Sequence, residues 1–205
     1  MKNKGKPSSG SAAKILEAAR AEFVQNGLAG ARVDRIARRS GINKAMIYYH
    51  FGSKENLYQE VISAQLERIA SFLEKIIAEG SDPEQFIKQL VGFYDSIFEN
   101  VRDFSPIFLR EAASGGARIR TAFARTLSDK GLIGKLKAII DEGKRSGQLR
   151  NVDSRQAIVS FIGMNLFYLL MAPVINSVWE IKDEKKFRKI RQKEVVDLFL
   201  HGIKA

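Results

Sequence analysis

The chain has no cysteine, two histidines and one tryptophan among its 205 residues. Without cysteine there is no disulfide framework, no thiolate metal site and no cysteine nucleophile. His50 and His201 stand far apart and form no His-x-x-x-His pair, so a zinc site would need carboxylates that no spacing brings together. A Gly-rich phosphate loop and a Ser/His/Asp arrangement are also missing, and Gly115-Gly116 reads as a lone turn. Neither catalysis nor a metal or other cofactor is expected. No stretch alternates as a strand should, and no repeat is visible.

Acidic residues are in short supply: 23 Asp/Glu face 34 Lys/Arg, a net charge of +11. The excess is uneven. Residues 1–58 hold 11 basic and 4 acidic side chains, a net of +7, while the other 147 residues carry +4. A polyanion is the natural partner for the N-terminal part, because its charges from Lys14 to Lys54 sit within patterned helices. The basic start Met1–Gly10 is followed by an amphipathic helix and not by an apolar run, so no signal peptide is expected and the location is read as cytoplasmic. Charge vanishes for 24 residues from Gln156 to Trp179, a length that would span a bilayer. Ser160, Asn165, Asn176, Ser177 and a helix-ending Pro173 speak against that, and a buried helix at a subunit interface needs the same composition.

The pattern is all-α, with about nine helices. Ala12, Ile15, Leu16, Ala19 and Phe23 predict a helix over Ser11–Gln25, closed by Asn26-Gly27. A short helix over Val33–Ser40 follows, then a Gly41-Ile42-Asn43 turn and a second short helix over Lys44–Tyr49 that Asn43 can cap. Ser53 caps a longer helix ending near Gly80, and Asp82-Pro83-Glu84-Gln85 opens another. A break is expected at Asn100–Asp103, then one helix over Arg118–Arg145 weakened by Gly131 and Gly134, the Asp153-capped charge-free helix, and a last helix over Asp183–His201.

Two short helices around a glycine turn form a helix-turn-helix, whose second helix enters the major groove while the first supports it. The residues in and around it, Val33-Asp34-Arg35-Ile36-Ala37 and Ser40-Gly41-Ile42-Asn43-Lys44-Ala45-Met46-Ile47-Tyr48-Tyr49-His50-Phe51-Gly52-Ser53-Lys54-Glu55-Asn56-Leu57-Tyr58, resemble the tetracycline-repressor (TetR/AcrR) family of bacterial transcription regulators. The resemblance is specific over 11–58 and beyond that one of length and helical order. It implies a loose basic tail over 1–10, a helix-turn-helix DNA-binding domain over 11–58, and a ligand-binding and dimerisation domain over 59–205.

Carried onto this sequence, the family pattern places Lys44, Ala45, Met46, Tyr48, Tyr49 and His50 on or near the recognition helix. Lys44 is then a phosphate or base-edge contact, and Ala45 and Met46 pack on a thymine methyl or allow close approach. Tyr49, His50 and Lys54 meet backbone phosphate, while Tyr48 and Phe51 pack between helices. His50 also reads as a structural histidine, and Lys44 and Lys54 as solvated surface. One departure stands out. The family carries two small hydroxyl residues before the valine of the supporting helix, where this chain has Ala31 and Arg32. The cap is expected to be lost at about 1 kcal/mol, with Arg32 recovering a phosphate contact. Met46 is bulkier than usual there, so no operator sequence carries over.

The resemblance also implies a homodimer on a near-palindromic double-stranded operator, and a small apolar or amphipathic effector that releases it. Phe86, Leu90, Phe93, Tyr94, Ile97, Phe104, Phe108, Phe123, Met164, Phe167 and Tyr168 either line a cavity for that effector or fill a core. The last two helices carry more apolar surface than one chain hides: Ile158, Phe161, Ile162, Leu166, Leu169 and Leu170, then Phe187, Ile190, Val195, Leu198 and Phe199. Paired across two subunits they would make a four-helix seam. Two other classes stay open: a nonspecific architectural DNA-binding protein, and an enzyme with a DNA-binding-like head.

Overall fold

A computed structural model of the chain describes residues 9–80, 82–96 and 98–205, with residues 9, 96 and 98–104 given by their backbone alone. Among the described residues the fold is all-helical: α1 Ser9–Gly30, α2 Val33–Ser40, α3 Lys44–Phe51, α4 Lys54–Ala78, α5 Pro83–Ser96, α6 Phe98–Ala113, α7 Ala117–Phe123, α8 Leu132–Arg145, α9 Ser154–Val178 and α10 Glu184–Ile203. A π-helical turn at Ala124–Ser128 lies between α7 and α8. The sole strand-like feature among these residues is an isolated bridge between Leu149 and Lys204.

The predicted caps form. Asn43 Oδ1 accepts the Met46 amide at 2.9 Å, Ser53 Oγ that of Asn56 at 3.0 Å, and Asp82 Oδ1 those of Glu84 and Gln85. Asp153 and Asp183 cap α9 and α10 in the same way. Four boundaries differ from expectation. Gly27 interrupts α1 with φ 63 and ψ −177, where helix closure is predicted, and the chain makes one more turn to Gly30. α6 starts at Phe98 and runs through Asn100–Asp103 without a break. The stretch read as one helix over Arg118–Arg145 is split, because the π turn and Gly131, left-handed at φ 66, end one helix and open the next. Pro173 does not stop α9, which continues to Val178.

The chain divides into two compact units. The first comprises Met1–Glu67 with Asp103–Ala124. Ile15, Ala19, Phe23, Ile36, Ile47 and Leu57 are fully buried there, and the Phe23 and Tyr58 rings meet edge to face at 4.8 Å. The second comprises Arg68–Arg102 with Arg125–Ala205. Ala70, Leu73 and Ile76 of α4 pack with Phe86, Leu127 and Leu132. A second cluster joins Ile87 and Val91 of α5 to Phe161 of α9 and to Val195, Phe199 and Ile203 of α10.

Candidate nucleic-acid interface

In the first unit, α1 packs on α2 and α3. Gly41 turns the chain between the two short helices at φ 69, a region costly to any residue with a Cβ. Ile36 and Ile47 are buried on the inner faces of α2 and α3. Successive helical residues advance by about 100°, so Ala45 and Tyr49 stand nearly opposite Ile47, with Tyr48 about 100° and Lys44 about 60° from it on the same flank. All four are exposed, Tyr49 by 71%. Tyr48 is thus not packed between helices as expected: it follows Lys44 by one turn and shares its outward side, while Phe51 is half-buried. Met46 and His50 are half-buried at the edge. The His50 ring lies 5.8 Å from Tyr49 and 6.0 Å from Phe51, and its Nε2 is buried with no hydrogen-bond partner among the described residues.

The charged groups are less free than sequence suggests. Lys44 Nζ is 2.9 Å from the Asp34 carboxylate in the first turn of α2, and that hydrogen bond raises the pKa of the ammonium above its usual value. Lys54 Nζ donates to the Ala31 carbonyl at 3.3 Å, tying the start of α4 to the entry of α2. Arg32 is exposed at the N-cap of α2 and supplies no side-chain cap. The amide of that residue is nevertheless satisfied. Glu22 of α1, only 3% exposed, accepts the Arg32 amide at 3.2 Å and faces the Arg35 guanidinium at 3.4 Å. Glu22 therefore takes the N-cap residue's own amide, a different donor from the first-turn amides that a hydroxyl cap accepts, and α2 keeps no side-chain cap. Sequence reasoning missed Glu22; its one signal is a glutamate at an inward position of α1, one residue before the buried Phe23.

α6 and α7 supply further polar contacts to this unit. Arg110 Nη1 donates to the carbonyls of Phe23, at 3.3 Å, and Val24, at 2.8 Å, just before the Gly27 interruption. Glu111, next to Arg110 in the chain, is buried and paired with Arg118 at 3.4 Å. Gln59 of α4 donates to the Arg118 carbonyl at 3.1 Å. Burial, reinforced by Glu111, pushes the Tyr58 hydroxyl well above its usual pKa.

Residues 15–61 match the family described as bacterial regulatory proteins, tetR family, and residues 83–198 match the tetracyclin repressor-like C-terminal domain. The chain belongs to the TetR family. Its likeness to the transcriptional regulator RutR of Escherichia coli K12 is 30% identity over 216 residues, spanning 100% of this chain and 97% of that protein. It is 32% identical over 138 residues to the transcriptional repressor NicS of Pseudomonas putida, covering 67% of this chain and 65% of NicS. Among solved structures, FadR from Bacillus subtilis in complex with stearoyl-CoA superposes with a TM-score of 0.69 at 19% identity, over 93% of this chain and 98% of that one. This TetR-family chain is a helix-turn-helix transcription regulator and not an enzyme.

The other site residues fall in several places. Phe108 and Phe123 lie in the first unit and Phe86, Leu90, Phe93, Tyr94, Met164, Phe167 and Tyr168 in the second; Ile97 and the Phe104 side chain lie outside the described residues. Phe86 is core, packed with Leu73 and Leu132. Phe93 stacks on Phe72 at 3.7 Å and borders a groove of about 300 Å³ with Ile76 and Gln89. Tyr94 and Tyr168 line a small cleft beside α10. Met164 and Phe167 are exposed, Phe167 by 61%, and so line no enclosed cavity within this chain.

The seam residues divide likewise. Ile162, Ile190 and Leu198 are exposed, and Ile158, Leu166, Leu170 and Phe187 half-buried. Phe161, Leu169, Val195 and Phe199 are buried in the protomer's own core, so a partner could bury little more of them. Val159, Val174 and Val178 on the outward side of α9, and Trp179 just past its end, are exposed as well and were not singled out from the sequence. That helix is long and apolar enough to cross a membrane by length and composition, although Asp153 caps its start and one face is core.

Proposed function

We propose that this TetR-family regulator is a homodimeric, sequence-specific repressor that leaves a near-palindromic operator when a small apolar or amphipathic effector binds its body. The observation that carries the reading is the exposed quartet Lys44, Ala45, Tyr48 and Tyr49 on a capped helix held by Ile36 and Ile47. A cation, a methyl-sized surface and two phenols on one side of a short helix suit phosphate and base-edge contact in a major groove. Arg32, Met46, His50 and Lys54 flank that side; Lys54 also serves the fold. The name of NicS, a repressor, favours repression. A cytoplasmic location follows from this role.

Homodimerisation is supported by the apolar outward side of α9, where Val159, Ile162, Phe167, Val174 and Val178 are exposed at helical spacing. Ile190 and Leu198 of α10 extend it. Two such heads would present their recognition helices about one DNA turn, ~34–36 Å, apart or more. The effector class is supported by the aromatic groove at Phe72 and Phe93, and the B. subtilis FadR fold holds stearoyl-CoA. Coupling would run along α4, which places Leu57, Tyr58 and Val61 among the buried residues of the first unit and Ala70, Leu73 and Ile76 in the second. An effector shifts the balance only by preferring one arrangement of the heads.

The test is selection of genomic DNA fragments by the purified protein at fixed salt. The expected result is a fragment carrying two inverted half-sites and bound at least a hundredfold more tightly than random DNA. Equal binding to all fragments would leave an architectural protein instead.

A further inference from the structure

In the second unit a cleft opens between α5, α9 and α10, well removed in sequence from the recognition helix. Its polar lining is Tyr94 and Asp95 of α5, Asn165 and Tyr168 of α9, and Arg188, Arg191 and Gln192 of α10; Val91 and Leu169 make its apolar floor. The charged lining is two guanidinium groups and one carboxylate. Arg188, with its side chain 14% exposed, takes that carboxylate, at 3.1 Å from Asp95.

Among the described residues Arg191 has no carboxylate partner. It donates through Nη2 to the Met164 carbonyl and sits over the Tyr168 ring, 5.2 Å from its centroid. Burial, reinforced by Glu184 at the start of α10, raises the Tyr168 pKa, and Tyr168 in turn favours the charged form of Arg191. Burial pulls the guanidinium below its usual pKa, so water no longer compensates its charge in full. An arginine cannot shed its proton to escape that cost, and one carbonyl uses only one of its five N–H donors. A planar fork with spare donors in a partly dry cleft matches the two oxygens of a carboxylate.

We propose that the cleft between α5, α9 and α10 binds the carboxylate of a small organic acid, with Arg191 as its charge partner. The open cleft offers about 40 Å³, the scale of a carboxylate head. The rest of the acid has a path. Val91 and Gln192 are shared with a wider groove between α5 and α10, where Gly92, Val196 and Leu200 lie among charged side chains that include Lys88, Lys193 and Asp197. The proposed class is a monocarboxylate whose short aliphatic or aromatic body lies on Val91, Val196 and Leu200. Tyr168 anchors the cleft by its hydroxyl contact with Asn176, 3.1 Å away.

The full-length protein is titrated calorimetrically with acetate, hexanoate and benzoate at constant ionic strength. Hexanamide and benzamide serve as neutral counterparts and inorganic phosphate as the other oxyanion. Hexanoate or benzoate should saturate, at least tenfold more tightly than its amide, with acetate weaker for want of a body. Arg191→Met should weaken the acid at least tenfold while helicity and Tm stay near wild type. Arg191→Lys keeps the charge but not the fork and should lose several-fold, which decides the matter should the methionine variant fail to fold. Absence of saturation by all three acids, unchanged affinity in the folded variants, or tighter binding of phosphate would overturn the assignment. DNA plays no part in the titration, so failure here leaves the operator reading untouched.

Discussion

Replacing Glu22 tests whether a carboxylate from α1 holds the entry to the helix-turn-helix. In Glu22→Leu the Arg32 amide loses its acceptor, and Arg35 loses the oxygen 3.4 Å from its guanidinium. A buried donor left unsatisfied costs about 1–3 kcal/mol. Arg35 adds little, because its side chain is 44% exposed and regains water. Relief from burying a carboxylate offsets part of the loss, leaving about 1–2 kcal/mol. With a urea dependence of about 1–3 kcal/mol per molar, the unfolding midpoint should fall by roughly 0.3–2 M. Glu22→Gln keeps an acceptor oxygen and should lose about half as much. Far-ultraviolet circular dichroism in urea reads both, and titration of a selected DNA fragment should show the leucine variant weakened and the glutamine variant close to wild type. Should Glu22→Leu unfold at the wild-type midpoint, the carboxylate does not hold α2 and the interhelix contact is wrong.

Leu166→Glu places a charge among the exposed apolar residues of α9 and should convert a dimer to a monomer on a sizing column; an unchanged elution volume would remove α9 from the seam. Lys44→Ala should weaken binding to a selected operator and flatten the slope of log K against log salt by about one unit, whereas Asp34→Asn, which frees the ammonium, should steepen the salt dependence or strengthen binding to random DNA. Gly143→Ala puts a methyl group 2.6 Å from Leu149 Cδ1 and 3.0 Å from Pro83 Cγ, and should destabilise by about 1–3 kcal/mol in the same urea assay. Glu84 is held at a pKa of about 2 by Lys204 and Lys88. That value lies below the ordinary carboxylate range, so its contribution is complete above about pH 4.5 and fades as pH falls toward 2. Glu84→Gln should therefore show a smaller drop in Tm between about pH 5 and about pH 3 than wild type.

The helices and their starts were legible because each rests on local chemistry. Asn43, Ser53, Asp82 and Asp153 cap through atoms two or three residues away, and that distance is written in the sequence. Gly41 announced a left-handed turn for the same reason. Boundaries that depend on more distant packing were less readable. Pro173 breaks an isolated helix, yet α9 carries on past it with Tyr168, Leu169 and Ala172 seated in a core cluster. The interhelix contact was hidden because Glu22 lies 10 residues before the amide it serves, and only the fold brings them together.

The candidate site shows the same divide between local and tertiary information. Lys44, Ala45 and Tyr49 are exposed side by side because α3 is a single short helix with one buried anchor, Ile47, and one anchor settles which way the rest face. α9 has no such marker: with 24 uncharged residues in succession, hydrophobicity cannot distinguish its inner side from its outer one. Position around the helix can. Ala157, Phe161, Tyr168 and Ala172 recur toward the protomer core, and Val159, Phe167, Val174 and Val178 recur outward. Phe161 and Phe167, six residues apart, stand about 120° apart on an ideal helix and so cannot serve one interface equally. The exposed set is the one that a second copy of the chain could still take out of water, and Phe167, not Phe161, is the phenylalanine whose truncation should weaken a dimer.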